Sequence, residues 1–125
     1  MDSIKAGLLA VVISFMYNRY VVNKLGDYAV IYLIPPAEEV FKTSAYYFIG
    51  GNLAQVHLFF GIIEAVFDYG NSKAAAILAV ITHLAFGGLT FYCWQLIGDL
   101  ISAVAITISV HLVWNYLIGR FKRCD

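Results

Sequence analysis

The stretch Pro35-Pro36-Ala37-Glu38-Glu39-Val40-Phe41-Lys42 places two adjacent carboxylates and a lysine in the middle of a segment, residues 28–50, that otherwise reads as a membrane span. A charged side chain at the centre of a bilayer costs about 2.5–3.5 kcal/mol even on permissive scales, so such groups are paired or wetted and mark a functional site. Three later apolar segments carry partners for them. Glu64, His83 and His111 each stand near the middle of one.

Working outward, the whole chain has the same character. Of its 125 residues 62% are hydrophobic and 13% charged, against about 45–50% and about 25% in a soluble domain. This composition predicts an all-α integral membrane bundle, one membrane-embedded domain over residues 1–125, with the lipid bilayer as its surroundings. The net charge is zero, and the only basic cluster is the terminal Arg120, Lys122 and Arg123. No nucleic-acid motif is present, so nucleic acid is not an expected partner. Cys93 and Cys124 lie in different segments, which argues against a disulfide framework or zinc-finger spacing. The first apolar run lacks a small-residue cleavage site and reads as a retained span.

A span needs about 20 residues. Five segments qualify, at about 4–22, 28–50, 53–69, 74–96 and 100–119. The first is the least regular, because Asn18, Arg19 and Asn23 crowd its end. In the second, proline suits a first helical turn and breaks an interior. The pair predicts a short entry segment and a helix starting near Pro36. Glu38 and Glu39 then fall in the first turn, where free N–H groups and the positive dipole end favour carboxylates. Lys42 follows at i+3 and i+4, in reach of either. On the third segment His57, Gly61, Glu64 and Asp68 share one helical face. His57 lies toward its outer end and reads as structural, and Asp68 and Asp99 read as interfacial charges. The fourth has a small or polar face at Ala76, Ala79, His83, Gly87 and Thr90, which lets helices approach. The fifth carries a polar stripe at Thr107, His111 and Asn115.

With five spans, Arg19, Lys24, Lys73 and the basic tail fall on one side and only Lys5 on the other. The excess of positive charge then predicts an outer amino terminus and a cytoplasmic carboxyl terminus in a multi-pass cell-membrane protein. Counting about 1.5 Å per residue from that side, Glu38, Glu39, Glu64, His83 and His111 share a depth of roughly 10–17 Å.

Four motifs on consecutive segments carry a family resemblance. They are Glu38-Glu39-Val40-Phe41-Lys42, Phe60-Gly61-Ile62-Ile63-Glu64, His83 followed by Gly87-Gly88, and His111-Leu112-Val113-Trp114-Asn115. In this order they resemble the PrsW family of intramembrane proteases, related to the CAAX-protease and bacteriocin-processing group. The CAAX branch itself fits less well, since position 43 is Thr43 and Phe60 leads to Glu64 rather than to histidine. The resemblance covers about residues 35–115. It implies hydrolysis of a peptide bond in a membrane-anchored protein or peptide substrate.

Peptide hydrolysis needs an activated water, a base and a group to hold the oxyanion. The sequence reading assigns Glu39 as general base, with Glu38 assisting or held by Lys42. His111 and Asn115 would orient the water and donate to the oxyanion. Glu64 and His83 would complete the water site or bind a metal. Zinc held by Glu64, His83 and His111, with Glu39, is one alternative; a metal-free glutamate mechanism is the other. A membrane proton or ion carrier using the same cluster is the rival function. It would spread polar groups through the full depth, whereas these gather at one level. A bis-histidine haem site on His83 and His111 would have no use for three glutamates.

Overall fold

The computed structural model describes residues 1–121, with side chains described to Gly119. Lys122, Arg123 and Cys124 lie outside the described residues, and the Arg120 side chain with them. The described elements are all helices: α1 (Asp2–Leu25), α2 (Asp27–Tyr32), α3 (Ile34–Ile49), α4 (Leu53–Tyr69), α5 (Lys73–Ile97) and α6 (Leu100–Phe121). The molecule is an all-α bundle.

Three of these helices, α1, α5 and α6, are long and apolar enough to cross a membrane. The first segment is therefore a full helix of 24 residues, running through Asn18 and Arg19 to a turn at Gly26. The second and third segments fall short of the expected spans. With 16 and 17 residues, α3 and α4 rise roughly 24–26 Å at 1.5 Å per residue, against a hydrocarbon core of about 30 Å.

The second segment is also divided. Its entry portion is the short helix α2, and α3 begins at Ile34 rather than Pro36. The prolines occupy positions where a missing N–H costs nothing within α3. They leave the carbonyls four residues back, on Ile31 and Tyr32, without a helical donor, which separates α2 from α3. This shift corrects the first-turn expectation. Glu38 and Glu39 are the fifth and sixth residues of α3, beyond reach of its free N–H groups, so side chains must satisfy them instead.

Short polar caps start the later helices. Asn52 accepts from Gln55 N at 3.1 Å, Ser72 from Ala75 N at 3.2 Å and Asp99 from Ser102 N at 2.8 Å. Each such cap satisfies one orphan donor. The amino end of α1 is tied to the α3–α4 turn, because Ser3 Oγ accepts from Asn52 N and donates to Gln55 Oε1, both at 2.9 Å.

The interior is rich in small and polar residues, with a few large apolar ones such as Leu53, Phe60 and Phe86 among them. Ala6, Ala10, Ala45, Ala76, Ala79 and Ala103 are buried, and so are Glu38, Glu39, Lys42, His57, His83 and His111. Large apolar side chains face outward, with Phe48 81%, Ile101 80%, Val66 70% and Met16 69% exposed. A protein in water arranges these classes the other way. The inversion fits hydrocarbon surroundings.

Helices α4 and α5 form the closest pair. A Cβ at Gly61 would lie 2.9 Å from the Ala79 carbonyl oxygen and from His83 Cβ, and one at Gly87 would lie 2.6 Å from His57 Cβ. Neither position has room for a side chain. The two glycines press the His57 and His83 faces inward, as the small-residue pattern of the fourth segment predicts. At the Gly98 end, α5 and α6 are joined by a 2.8 Å hydrogen bond between Thr90 Oγ1 and Thr107 Oγ1. Helices α4 and α6 do not approach each other among the described residues. The space between them is the candidate site.

Candidate active site

The hub of the site is Glu39, only 1% exposed. Its Oε1 accepts from Lys42 Nζ at 2.6 Å and from His111 Nδ1 at 3.0 Å. Lys42 Nζ also lies 3.0 Å from His83 Nδ1 and 4.8 Å from the centre of the Phe60 ring. The lysine nitrogen offers only protons there, so His83 Nδ1 accepts. His83 Nε2 then carries hydrogen and donates to Glu64 Oε2. By the same logic His111 donates through Nδ1 to Glu39, which leaves its Nε2 as an acceptor. A continuous chain runs Glu64, His83, Lys42, Glu39, His111.

Ring packing holds these groups in place. His111 stacks on Phe86 with centroids 4.4 Å apart, and His83 sits against Phe60 at 4.9 Å. The two histidine rings meet edge-on at 5.8 Å.

A pocket of about 420 Å³ opens beside this chain. Glu38, Glu64, His83, His111 and Asn115 line it, as do Asn18 of α1 and Ser72 of the α4–α5 loop. Glu39 and Lys42 do not. Adjacent residues on a helix point about 100° apart, so Glu38 faces the pocket while Glu39 faces the bundle. The base expected at Glu39 therefore has no access to the pocket, and Glu38 does. Glu38 Oε1 accepts from Asn18 Nδ2 at 2.9 Å.

All six sequence-predicted residues are brought to one region. Asn115 stands at its edge, where Nδ2 donates to the Val30 carbonyl at 3.1 Å. One of its two N–H groups thus ties α6 to α2, and the other remains for a ligand.

Three residues have neighbours that the sequence did not show. Asn18, read only as the polar end of a span, holds Glu38. Asp68, read as interfacial, lines the pocket. His57, read as structural and toward the outer end of its segment, is fully buried with Nδ1 3.8 Å from Glu39 Oε2. That is too long for a hydrogen bond, and neither ring nitrogen has another partner. The i, i+7 spacing of His57 and Glu64 was the available signal for the last of these; nothing in the sequence pointed to Asn18.

The zinc alternative does not fit these side chains. Among the described residues no three His, Cys, Asp or Glu side chains are grouped to hold a metal ion. Both nitrogens of His83 are engaged, one by Glu64 and the other by Lys42. The Lys42 amine fills the place that a cation would take between His83 and Glu39.

Compared with protein-family models, curated proteins and solved structures, the chain finds no match. The fold and site define a helical bundle suited to a bilayer, with a buried Glu–Lys–His network beside a pocket.

Proposed function

We propose that this protein is an intramembrane protease, of the kind its four motifs resemble, which hydrolyses a peptide bond of a membrane-anchored protein or peptide. The observation that carries the reading is the pairing of Glu38 and Glu64, two carboxylates from different helices, on a pocket that His83 and His111 also line. Glu38 takes a proton from a water that His111 Nε2 helps to hold. The hydroxide adds to the substrate carbonyl carbon, and the free N–H of Asn115 donates to the oxyanion. The carbon–nitrogen bond then breaks as Glu64, present as the acid and aligned by His83, gives its proton to the leaving amine; the proton held by Glu38 then passes to Glu64 and restores both groups. Glu39 and Lys42 touch no substrate; they position His111 and His83.

The carrier reading has one observation in its favour, the unbroken chain from Glu64 to His111. Its ionisable groups gather at one level, however, where a carrier would spread them through the full depth of the bilayer.

The test is cleavage of a library of palmitoylated peptides by purified protein in liposomes. Cleavage that persists in chelator is the expected result. No cleavage, together with proton flux across the same liposomes, would transfer the assignment to a carrier. Loss of cleavage on chelation would restore a metal.

The proposed orientation is multi-pass in the cell membrane, carboxyl terminus inside. In that orientation Lys24 and Lys73 face the cytoplasm, and Ser72, beside Lys73, lines the pocket. A carboxyl-terminal tag should resist protease added to intact cells, and its digestion would reverse the orientation.

A further inference from the structure

The α4–α5 hairpin is lined on two faces. Toward the bundle, Glu64, Asp68, Ala75, Ala79 and His83 border the pocket described above. On another face, a separate groove of about 440 Å³ runs between the same two helices. Its walls are Ile62, Ala65, Val66 and Tyr69 of α4 and Lys73, Ala76, Ile77 and Val80 of α5. Each set follows an i, i+3, i+4, i+7 pattern, which is one helical face. The short connection Gly70-Asn71-Ser72 makes the helices antiparallel. Tyr69 and Lys73 therefore close one end of the groove, and Ile62 and Val80 the other.

The lining divides along its length as a phospholipid does. From Ile62 and Val80 it is apolar for about 10 Å, at 1.5 Å of rise per residue. At the loop end stands Lys73, with Nζ 5.9 Å from the centre of the Tyr69 ring. No carboxylate lines the groove. Lysine and tyrosine at the edge of an apolar segment belong at headgroup level. A second apolar groove gives the contrast. It measures about 590 Å³, lies between α3 and α6, and has no charged residue in its lining. It offers room for an acyl chain but no cation for a phosphate.

The relief of the α4–α5 groove also selects its occupant. Membrane helices approach each other where small residues face outward. Here the small residue Ala76 is buried, while Val66, Tyr69 and Ile77 stand out, all of them exposed. Branched and aromatic rims hold off the backbone of another helix and admit a thin chain between them.

We infer that the α4–α5 groove binds an anionic phospholipid, with one acyl chain along Ala65, Val66, Ala76 and Ile77 and the phosphate against Lys73. In the orientation proposed above, Lys73 stands at the cytoplasmic leaflet, whose surface anionic lipids make negative. The site does not depend on the protease reading, since none of the catalytic residues lines it.

The experiment gives detergent-purified protein either dioleoylphosphatidylglycerol or dioleoylphosphatidylcholine. The two share their acyl chains and differ in headgroup charge. Lipid retained per chain is read by native mass spectrometry. The unaltered protein should bind the anionic lipid about 5-fold more tightly, the effect of one basic side chain near a charged headgroup. Lys73→Gln should abolish that preference. It leaves the Ser72 cap, which accepts from Ala75 N, in place, so folding is not at issue. Lys24→Gln removes a lysine that also lies over a tyrosine ring, away from this groove, and should keep the preference. Ala65→Leu fills the groove and should weaken both lipids. Equal binding of the two lipids by the unaltered protein, or a preference that survives Lys73→Gln, would overturn the inference. Binding unchanged in Ala65→Leu would overturn it too, because the headgroup alone would then make the contact. A dimer that Ala65→Leu separates would give the groove to a second copy of the chain instead.

Discussion

Replacing Glu38 by glutamine is expected to lower peptide cleavage by about 10²–10⁴-fold, the usual contribution of a general base, while the protein remains folded. The reasoning lies in what the substitution keeps. Glutamine has the same shape, and its Oε1 can still accept from Asn18 Nδ2, the one bond that Glu38 makes at 2.9 Å. Lys42, His83 and His111 bond to Glu39 and to one another, not to Glu38. The network is therefore untouched, and only the proton-accepting group in the pocket is lost. Cleavage rate and thermal unfolding should be measured on the same preparation. A Glu38→Gln protein that cuts at the normal rate would remove Glu38 as base.

Replacing Lys42 by methionine should act in the opposite way, through stability. Lys42 and Glu39 are 0% and 1% exposed and 2.6 Å apart. Removing one partner of a buried ion pair strands the other charge and typically costs about 3–5 kcal/mol. Here the loss extends further, because Lys42 also supplies the proton to His83 Nδ1. Without it the ring is free to change tautomer, and Glu64 loses its aligned donor. We expect Lys42→Met to unfold at much lower temperature in detergent and to lose cleavage. The double variant Lys42→Met with Glu39→Gln removes both charges, and should recover most of the stability but not the activity. The recovered part is a coupling energy that a double-mutant cycle reads directly. If Lys42→Met were as stable as the parent, Glu39 would not be held as half of an ion pair.

These two substitutions separate roles that the sequence placed side by side. The motif Glu38-Glu39-x-x-Lys42 was legible as a unit, and so was its convergence with Glu64, His83 and His111. Each lies on the buried or pocket-lining face of an apolar helix, and periodicity alone finds such faces. The same reasoning located the Ala76, Ala79, His83, Gly87, Thr90 face, all five of which are buried. It placed Thr107 and His111 inward on α6 as well.

The division of labour within the motif was not legible. Both carboxylates are inward, and which of them meets the pocket depends on where α1 and α6 stand relative to α3. Asn18 escaped notice for the same reason. A single amide near a helix end acquires meaning only from the carboxylate across from it, 20 positions away in the chain. His57 was read as structural, and what the sequence did not show is that its ring lies beside Glu39. The α4–α5 approach through Gly87 carries that ring to Glu39. The prolines were read correctly as a break, yet the helix starts two residues before Pro36, so the glutamates lie beyond its free N–H groups.

By itself, then, the sequence determined the composition of the bundle, the order of its apolar segments and the set of ionisable residues that face inward. Those follow from local properties: hydropathy over a window, and a 3.6-residue repeat. The tertiary structure alone decided that Glu38 faces the pocket, that Glu39 is sealed beneath Lys42 and His111, and that α1 contributes Asn18. Those depend on which helices become neighbours, and side chains that meet across a bundle are joined by packing rather than by any spacing along the chain.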